Sequence, residues 1–436
     1  MLRIIFLALS LIFSTNIYAE VKQLSSANKQ LLNDYLNKAV TERYFPGAQL
    51  IIGTSKGVVF SNCYGYLDYS KKNKVDSTTI YDLASCTKIF STTLSVMTLI
   101  DEGKITLNTK ISDRVLGAKG QSFKDVTVRD LLYHASGFKP TIPIAYSLVE
   151  SANEKIPLLS RYKSVNNPYL FDTRTYVAKD IKYSSDYVSK EYVRGSIKVA
   201  PNLYILPNYF QKVDSMINES YNPARLGVYA YSDLNFYFLQ KIVENSTFQT
   251  LDKYAKSLYD KMGVKNIGYK PLEWYSKDKI APTEFDALFR RDTLQGMVHD
   301  EFASVMGGVG GHAGLFGSAS SVAQICEMFL KKGIYGDGMQ MVRPETIERF
   351  ALPRRFSSGA IRGLGFHKLD PAKTPYSYES YGHTGYTGTY FWIDPKNDFY
   401  VVFLTNRVHP TRANKKLGAT YREKLWEMIE EMSHNF

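Results

Sequence analysis

Strand-favouring segments sit at both ends of this chain, and helix-favouring segments fill the middle. Near the start, Ala48–Ile52 and Val58–Asn62 are short β-branched and aromatic runs joined by the polar loop Gly53-Thr54-Ser55-Lys56-Gly57. Near the end, Thr389–Ile393 and Phe399–Leu404 flank the turn Asp394-Pro395-Lys396-Asn397. A lone hairpin is marginal in water, so each pair needs a partner. An antiparallel sheet assembled from both termini meets that need. Helices to cover it are at hand: Ser26–Val40 places Leu31, Leu32, Tyr35, Leu36 and Ala39 on one face, and Asn414–Met432 closes the chain. The expected class is α/β in the α+β sense. A sheet lobe comes from about 20–80 and 300–436, and a second, largely helical lobe from about 81–299. Between Pro140 and Pro223 the chain is dense in Tyr, Lys, Ser and Asn without clean periodicity. That stretch, 140–223, reads as an insertion on the helical lobe, over the active site.

The first nineteen residues read as a leader. Arg3 supplies a positive start, Ile4–Phe13 is almost unbroken apolar sequence, and Ala19 ends the segment. The run is about ten residues, half of the roughly twenty a membrane helix needs, which fits a signal peptide. An exported protein, periplasmic or secreted, is expected, with no transmembrane segment. The 436 residues carry 54 Lys+Arg against 42 Asp+Glu, a net charge of +12. These cations are scattered and no recognition helix accompanies them, so a nucleic-acid partner is not expected. Three cysteines without C-x-x-C spacing exclude a zinc ribbon or thioredoxin-type site. None of the seven histidines stands in an H-E-x-x-H pattern, and neither a metal nor a cofactor is expected.

Chemistry concentrates at Ser85-Cys86-Thr87-Lys88, which opens a helix expected to reach about Glu102. Side chains three apart share a helical face, so Lys88 reaches Ser85. A serine hydroxyl becomes a useful nucleophile when a neighbour takes its proton, and helix-start N–H groups favour a developing oxyanion. Alone, S-x-x-K is a weak signal whose plain alternative is a helix start with an exposed lysine. Gly53-Thr54-Ser55-Lys56-Gly57 is a literal G-x-S-x-G, but the nucleophile elbow needs a helix after it, and Val58-Val59-Phe60 reads as strand.

Two further elements follow in order: Tyr231-Ser232-Asp233 before an apolar helix, and His383-Thr384-Gly385 before a strand. With Ser85-x-x-Lys88 they resemble the three motifs of the serine β-lactamase and penicillin-binding-protein superfamily, in its class C-like version with tyrosine second. Val128-Arg129-Asp130-Leu131-Leu132-Tyr133-His134-Ala135-Ser136-Gly137-Phe138 is similar to that family's segment after the first helix. Met297-Val298-His299-Asp300-Glu301 and the run Gly307–Phe316 resemble a branch containing muropeptide amidases of cell-wall recycling and domains fused to family 3 β-N-acetylglucosaminidases.

The resemblance implies Ser85 as nucleophile, Lys88 as its partner and Tyr231 as general acid/base. The N–H groups of Ser85 and Tyr386 would form an oxyanion hole beside His383, Thr384 and Gly385, with His299 and His312 as accessory candidates. It implies a substrate drawn from peptidoglycan fragments or another small amide or ester. An N-acetylmuramyl-L-alanine amidase-like activity comes first; a D,D-carboxypeptidase, D-aminopeptidase, esterase or weak β-lactamase are alternatives. From another class, a penicillin- or muropeptide-binding protein with little turnover competes. Two departures stand out. Asp233 replaces the usual Asn, which favours the ammonium form of Lys88 and makes Tyr231 the better base. His383 replaces Lys and is mostly neutral at pH 7, so a substrate carboxylate is held less strongly there.

Overall fold

The structure, a computed structural model, describes residues 23–374 and 376–434; the expected leader, 1–19, lies outside the described residues. Helix α1 (Ser26–Thr41) begins where the Ser25 hydroxyl accepts the Asn28 N–H at 3.2 Å, and it buries Leu32, Leu36 and Ala39. Strands β1 (Gly47–Thr54) and β2 (Gly57–Gly65) follow as a hairpin. The segment after Leu83 runs as a 3₁₀ turn (Ala84–Cys86), a π-helical stretch (Lys88–Thr93) and helix α2 (Leu94–Asp101). It is therefore not the single α-helix its periodicity suggests. Among the helices that follow are α3 (Asp233–Thr247) and α4 (Ala319–Leu330). Strands β3 (Tyr381–Thr384), β4 (Tyr390–Asp394) and β5 (Phe399–Thr405) then lead to helix α5 (Ala419–Ser433).

The five strands form one antiparallel sheet in the order β3-β4-β5-β1-β2. Its centre is the pairing of the two chain ends: Ala48 lies opposite Thr405 and Ile52 opposite Val401. Side chains alternate faces with period two. Ile51, Phe391, Ile393, Tyr400, Val402 and Leu404 join the core shared with α2, α3 and α4. Leu50, Ile52, Trp392, Val401 and Phe403 face α1 and α5. Both faces are thus dry, and each fully buried aliphatic side chain contributes about 1.5–3 kcal/mol.

Within 149–205 the chain folds into short antiparallel strands. Val149–Ser151 pairs with Ile181–Tyr183, and Thr175–Val177 lies between Leu159–Ser160 and Tyr169–Asp172. Leu203–Ile205 lies between Ile197–Ala200 and Val188–Ser189. Strands this short show too few alternations to leave a period in the sequence. A small sheet of Tyr81–Asp82, Leu315–Gly317 and Ile267–Tyr269 ties three distant segments together directly before Ser85. Among the described residues, no helix is long and apolar enough to cross a membrane.

Candidate active site

Ser85 sits in the 3₁₀ turn, held by strand residues that precede it. Ala84 adopts φ +46°, a left-handed conformation that is strained for a residue with a Cβ. The buried Asp82 carboxylate stabilises it by accepting the Ala84 N–H at 2.8 Å and the His299 N–H at 2.7 Å. The turn is therefore pinned from both sides.

Lys88 is fully buried, and its ammonium donates to two oxygens and is ion-paired to a carboxylate. Its Nζ lies 2.9 Å from Ser85 Oγ, 2.7 Å from an Asp233 carboxylate oxygen and 3.1 Å from the His312 carbonyl. Burial alone would drive the amine neutral, but Asp233 and Tyr231 outweigh it and hold the group well above the ordinary lysine range. Lys88 is an ammonium, with no lone pair to offer.

Tyr231 faces the cleft with its ring 5.0 Å from Lys88 Nζ, and its phenol interacts with both Lys88 and Ser85. Desolvation raises its pKa, Lys88 pulls it down and Asp233 pushes it up again, for a net upward shift. The segment singled out for its resemblance, Val128–Phe138, and the two residues after it hold the residues that follow Tyr231. The Ser232 N–H donates to His134 Nδ1 at 3.0 Å, the Ser232 hydroxyl to the Lys139 carbonyl at 2.6 Å, and the Asp233 N–H to the Pro140 carbonyl at 2.9 Å. The His134 ring lies 4.4 Å from the Tyr231 ring. Burial, then Arg362 and Lys88, hold His134 far below the ordinary histidine range, so it packs there as a neutral ring.

His383, on β3, is buried with its ring 6.0 Å from that of Tyr231. Its Nδ1 lies 2.8 Å from the Thr384 carbonyl, and its Nε2 has no partner. Burial, then Arg362 and Lys88, push its pKa well below the usual value, so it is neutral throughout the neutral pH range. Thr384 is partly exposed at the end of β3. Gly385 is where the strand and the turn carrying Ser85 meet: a Cβ there would fall 2.7 Å from the Leu83 carbonyl oxygen. The next residues complete the junction, with the Thr387 hydroxyl donating to the Asp82 carbonyl at 2.8 Å and the Thr389 hydroxyl to the Leu83 carbonyl at 3.1 Å. The loop carrying the Tyr386 amide is thereby docked on the turn carrying the Ser85 amide.

The two accessory histidines occupy different places. His312 presents its backbone carbonyl to Lys88, while its ring Nε2 meets Asp300 at 2.7 Å. The His299 ring lies tilted against that of Tyr386, 5.4 Å between centroids, and pairs with Glu284 at 3.1 Å. Glu284 also meets Arg412, whose guanidinium bonds Glu301 at 3.0 Å and covers Phe171 of the 149–205 region at 4.7 Å. Asp172 pairs with Lys415 at 3.1 Å, so this region walls the Tyr386 side of the cleft.

Asp82, Glu284 and Arg362 were not legible as site residues. Asp82 stands three positions before Ser85, a proximity signal without a known pattern, whereas Arg362 reaches the site only through tertiary folding. The rival serine, Ser55, lies in a β-turn and donates to Asp398 at 2.8 Å, with strand β2 after it. Cys86 is buried, its thiol pushed up to about 12 by burial. Among the described residues no group of three or more His, Cys, Asp or Glu could hold a metal ion.

The beta-lactamase family profile matches residues 32–168 and 213–424. A protein of Salmonella paratyphi A, provisionally named a D-alanyl-D-alanine carboxypeptidase, is 29% identical over 408 residues, covering 86% of this chain and 82% of its own length. An octameric penicillin-binding protein homologue from Pyrococcus abyssi superposes with a TM-score of 0.61 at 18% identity, over 91% of this chain and 78% of that one. A class C beta lactamase gives a TM-score of 0.61 at 14% identity, over 92% and 98%. At these identities the solved structures establish the shared fold.

Proposed function

The chain belongs to the beta-lactamase family and is a serine hydrolase of the penicillin-binding-protein type, and from that premise we propose that it is an exported enzyme hydrolysing an amide of peptidoglycan-derived peptides through an acyl-enzyme on Ser85. The observation that carries this reading is the buried Lys88 ammonium, 2.9 Å from Ser85 Oγ and 2.7 Å from Asp233, with the Tyr231 ring 5.0 Å away.

In the resting state this cluster holds an ammonium, a phenol and a carboxylate. Lys88 cannot accept the Ser85 proton, so the acceptor is Tyr231 after its phenol has released its own proton to solvent, the resulting phenolate being stabilised by the Lys88 charge. Ser85 Oγ attacks the carbonyl carbon as its proton passes to Tyr231 Oη. The oxyanion is met by the N–H groups of Ser85 and Tyr386. Tyr231 then returns the proton to the departing amine, leaving an ester on Ser85. Water attacks that ester, Tyr231 takes its proton, and Ser85 leaves with it as the free acid is released.

Two scissile bonds compete. The named activity of the Salmonella relative favours removal of a terminal D-alanine. Neutral His383 favours instead a substrate with no carboxylate beside the bond, as in the link between N-acetylmuramic acid and L-alanine. Mass spectrometry of digested muropeptides decides: loss of one terminal alanine supports the carboxypeptidase, and loss of the whole stem peptide supports the amidase. No change with either class, with Ser85 unlabelled by acyl donors, overturns the hydrolase reading.

A further inference from the structure

Arg362 ends the short strand Ile361–Arg362 and is 3% exposed. Its guanidinium carbon lies 5.9 Å from the Tyr229 ring and 5.9 Å from the Tyr231 ring. One terminal nitrogen donates to the Gly365 carbonyl at 3.2 Å, and Nε is buried without a partner. Arg290, equally buried, is neutralised by Asp286 at 2.6 Å, and the less buried Arg412 by Glu284 at 2.6 Å, whereas Arg407 donates to the Asn414 and Tyr386 carbonyls. Among the described residues no carboxylate pairs with Arg362. A buried cation without a counter-charge is costly, and the fold keeps this one beside the cleft.

The charged and titratable groups facing Tyr231 come from every element packed on it. Lys88 comes from the π-helical stretch, Asp233 from α3, His134 from the turn after the short helix Val128–Leu132, His383 from β3 and Arg362 from its own strand. Both histidines are neutral rings, and Arg362 is the second cause of that in each case, after burial. The groups around Arg362 that can turn negative are Tyr229 and Tyr231. Only Tyr231 touches the nucleophile.

We propose that Arg362 is a positioning residue that stabilises the negative charge on Tyr231 during proton transfer from Ser85, supplying from a new place in the chain the fixed cation that His383 does not provide. This rests on the reading of Ser85 as the acylated nucleophile. The proton moves from Ser85 Oγ to the Tyr231 phenolate, and Arg362 keeps its own protons throughout. A unit charge about 6 Å away, at an effective dielectric near 20, shifts such a group by on the order of one to two pH units.

The test is the rate of Ser85 labelling by a fluorophosphonate probe from pH 6 to 10, with thermal midpoints recorded beside it. Arg362→Met is expected to move the alkaline rise upward by about one unit and slow labelling at pH 7 about tenfold, while the midpoint stays level or increases. Arg362→Lys is expected to keep the wild-type profile, and adding His383→Lys to Arg362→Met to restore part of the rate. Arg362→Gln serves as a second neutral variant should the Met form fail to fold. A wild-type profile in both neutral variants, or a loss that follows the midpoint and is not relieved by His383→Lys, overturns the proposal alone. Absence of labelling at Ser85 in the unmodified protein overturns the hydrolase reading and this proposal with it.

Discussion

Phe391 and Trp392 point to opposite faces of the sheet, and both end among apolar neighbours. Lys88, Arg362, His134 and His383 are buried as deeply, yet each sits among polar or charged groups. The sheet is stabilised by many small, non-directional gains that tolerate some loss. In the cleft floor a few directional pairings, such as Lys88 with Ser85 and Asp233, hold some groups, while Arg362 stays without a counter-charge. Charge is thus confined to where chemistry would use it, and the apolar layers around it keep water from screening it.

The largest effect separates the cleft from everything else. Ser85→Ala is expected to abolish covalent labelling by a slow acyl donor while leaving the thermal midpoint close to wild type. Ser55→Ala, at the tip of the β1–β2 hairpin, is expected to label normally. If Ser55→Ala abolished labelling and Ser85→Ala did not, the sheet hairpin would carry the chemistry and the contrast would reverse.

Stability tests come next. Phe403→Ala empties a fully buried site and is expected to cost about 3–5 kcal/mol by denaturant unfolding, independent of pH from 5 to 9. Asp233→Ala strands the Lys88 ammonium and is expected to cost about 3 kcal/mol, toward the low end for a buried pair because Asp233 is partly open to solvent. The second substitution tells the two apart. Lys88→Met added to Asp233→Ala is expected to recover stability without recovering activity, since the unpaired charge goes but the proton route does not return. The sign for Lys88 is that of a raised cation: its share of stability is complete below the unfolded value of about 10.4 and falls only as pH rises beyond it. A pH-dependent loss near neutrality in the Phe403 variant would break the comparison.

Acid stability draws on the carboxylates bordering the cleft. Asp286, Glu284 and Asp300 are desolvated but held below their ordinary ranges by Arg290, His299 and His312 respectively, with Arg412 also acting on Glu284. Depressed carboxyls add stability above their unfolded values of about 3.9–4.3 and lose it as pH falls toward their folded values. The thermal midpoint is therefore expected to fall steeply between pH 4.5 and 3, and Glu284→Gln to flatten part of that fall. An unchanged slope would remove this pair from the account.

The same contrast explains what could be read from the sequence. Ala48–Ile52 and Phe399–Leu404 announce strands because their alternation is local, and the antiparallel sheet of both termini follows from it. Ser85, Lys88, Tyr231, Asp233 and His383 were legible as a resemblance, and the structure brings them together. The 3₁₀-to-π path after Leu83 was not, because its apolar residues still look helical. Arg362 was invisible for another reason: nothing within a few residues reveals that its neighbour is Tyr231, more than a hundred positions upstream. Local periodicity reports the apolar layers, while a charge cluster is a property of the closed fold.

The smallest expected effect concerns what the cleft prefers to bind. His383 lies where the family pattern has lysine, and burial with Arg362 and Lys88 keeps it neutral. A charge-assisted hydrogen bond contributes roughly 1.5–3 kcal/mol, so lacking one on this strand costs on the order of tenfold to a hundredfold in binding a carboxylate at the transition state. Slow β-lactam hydrolysis is expected beside faster turnover of amides or esters without that carboxylate, and His383→Lys is expected to raise the β-lactam acylation rate by about tenfold. The gain stays at the lower end because a new ammonium beside Arg362 and Lys88 meets like charge on two sides. Wild-type kcat/KM for a cephalosporin near 10⁷ M⁻¹s⁻¹, within the range of efficient enzymes, would mean that a carboxylate is already well held. The cation holding it would then lie elsewhere than β3, and Arg407, whose guanidinium lies 5.2 Å from the Tyr386 ring, is the first to substitute.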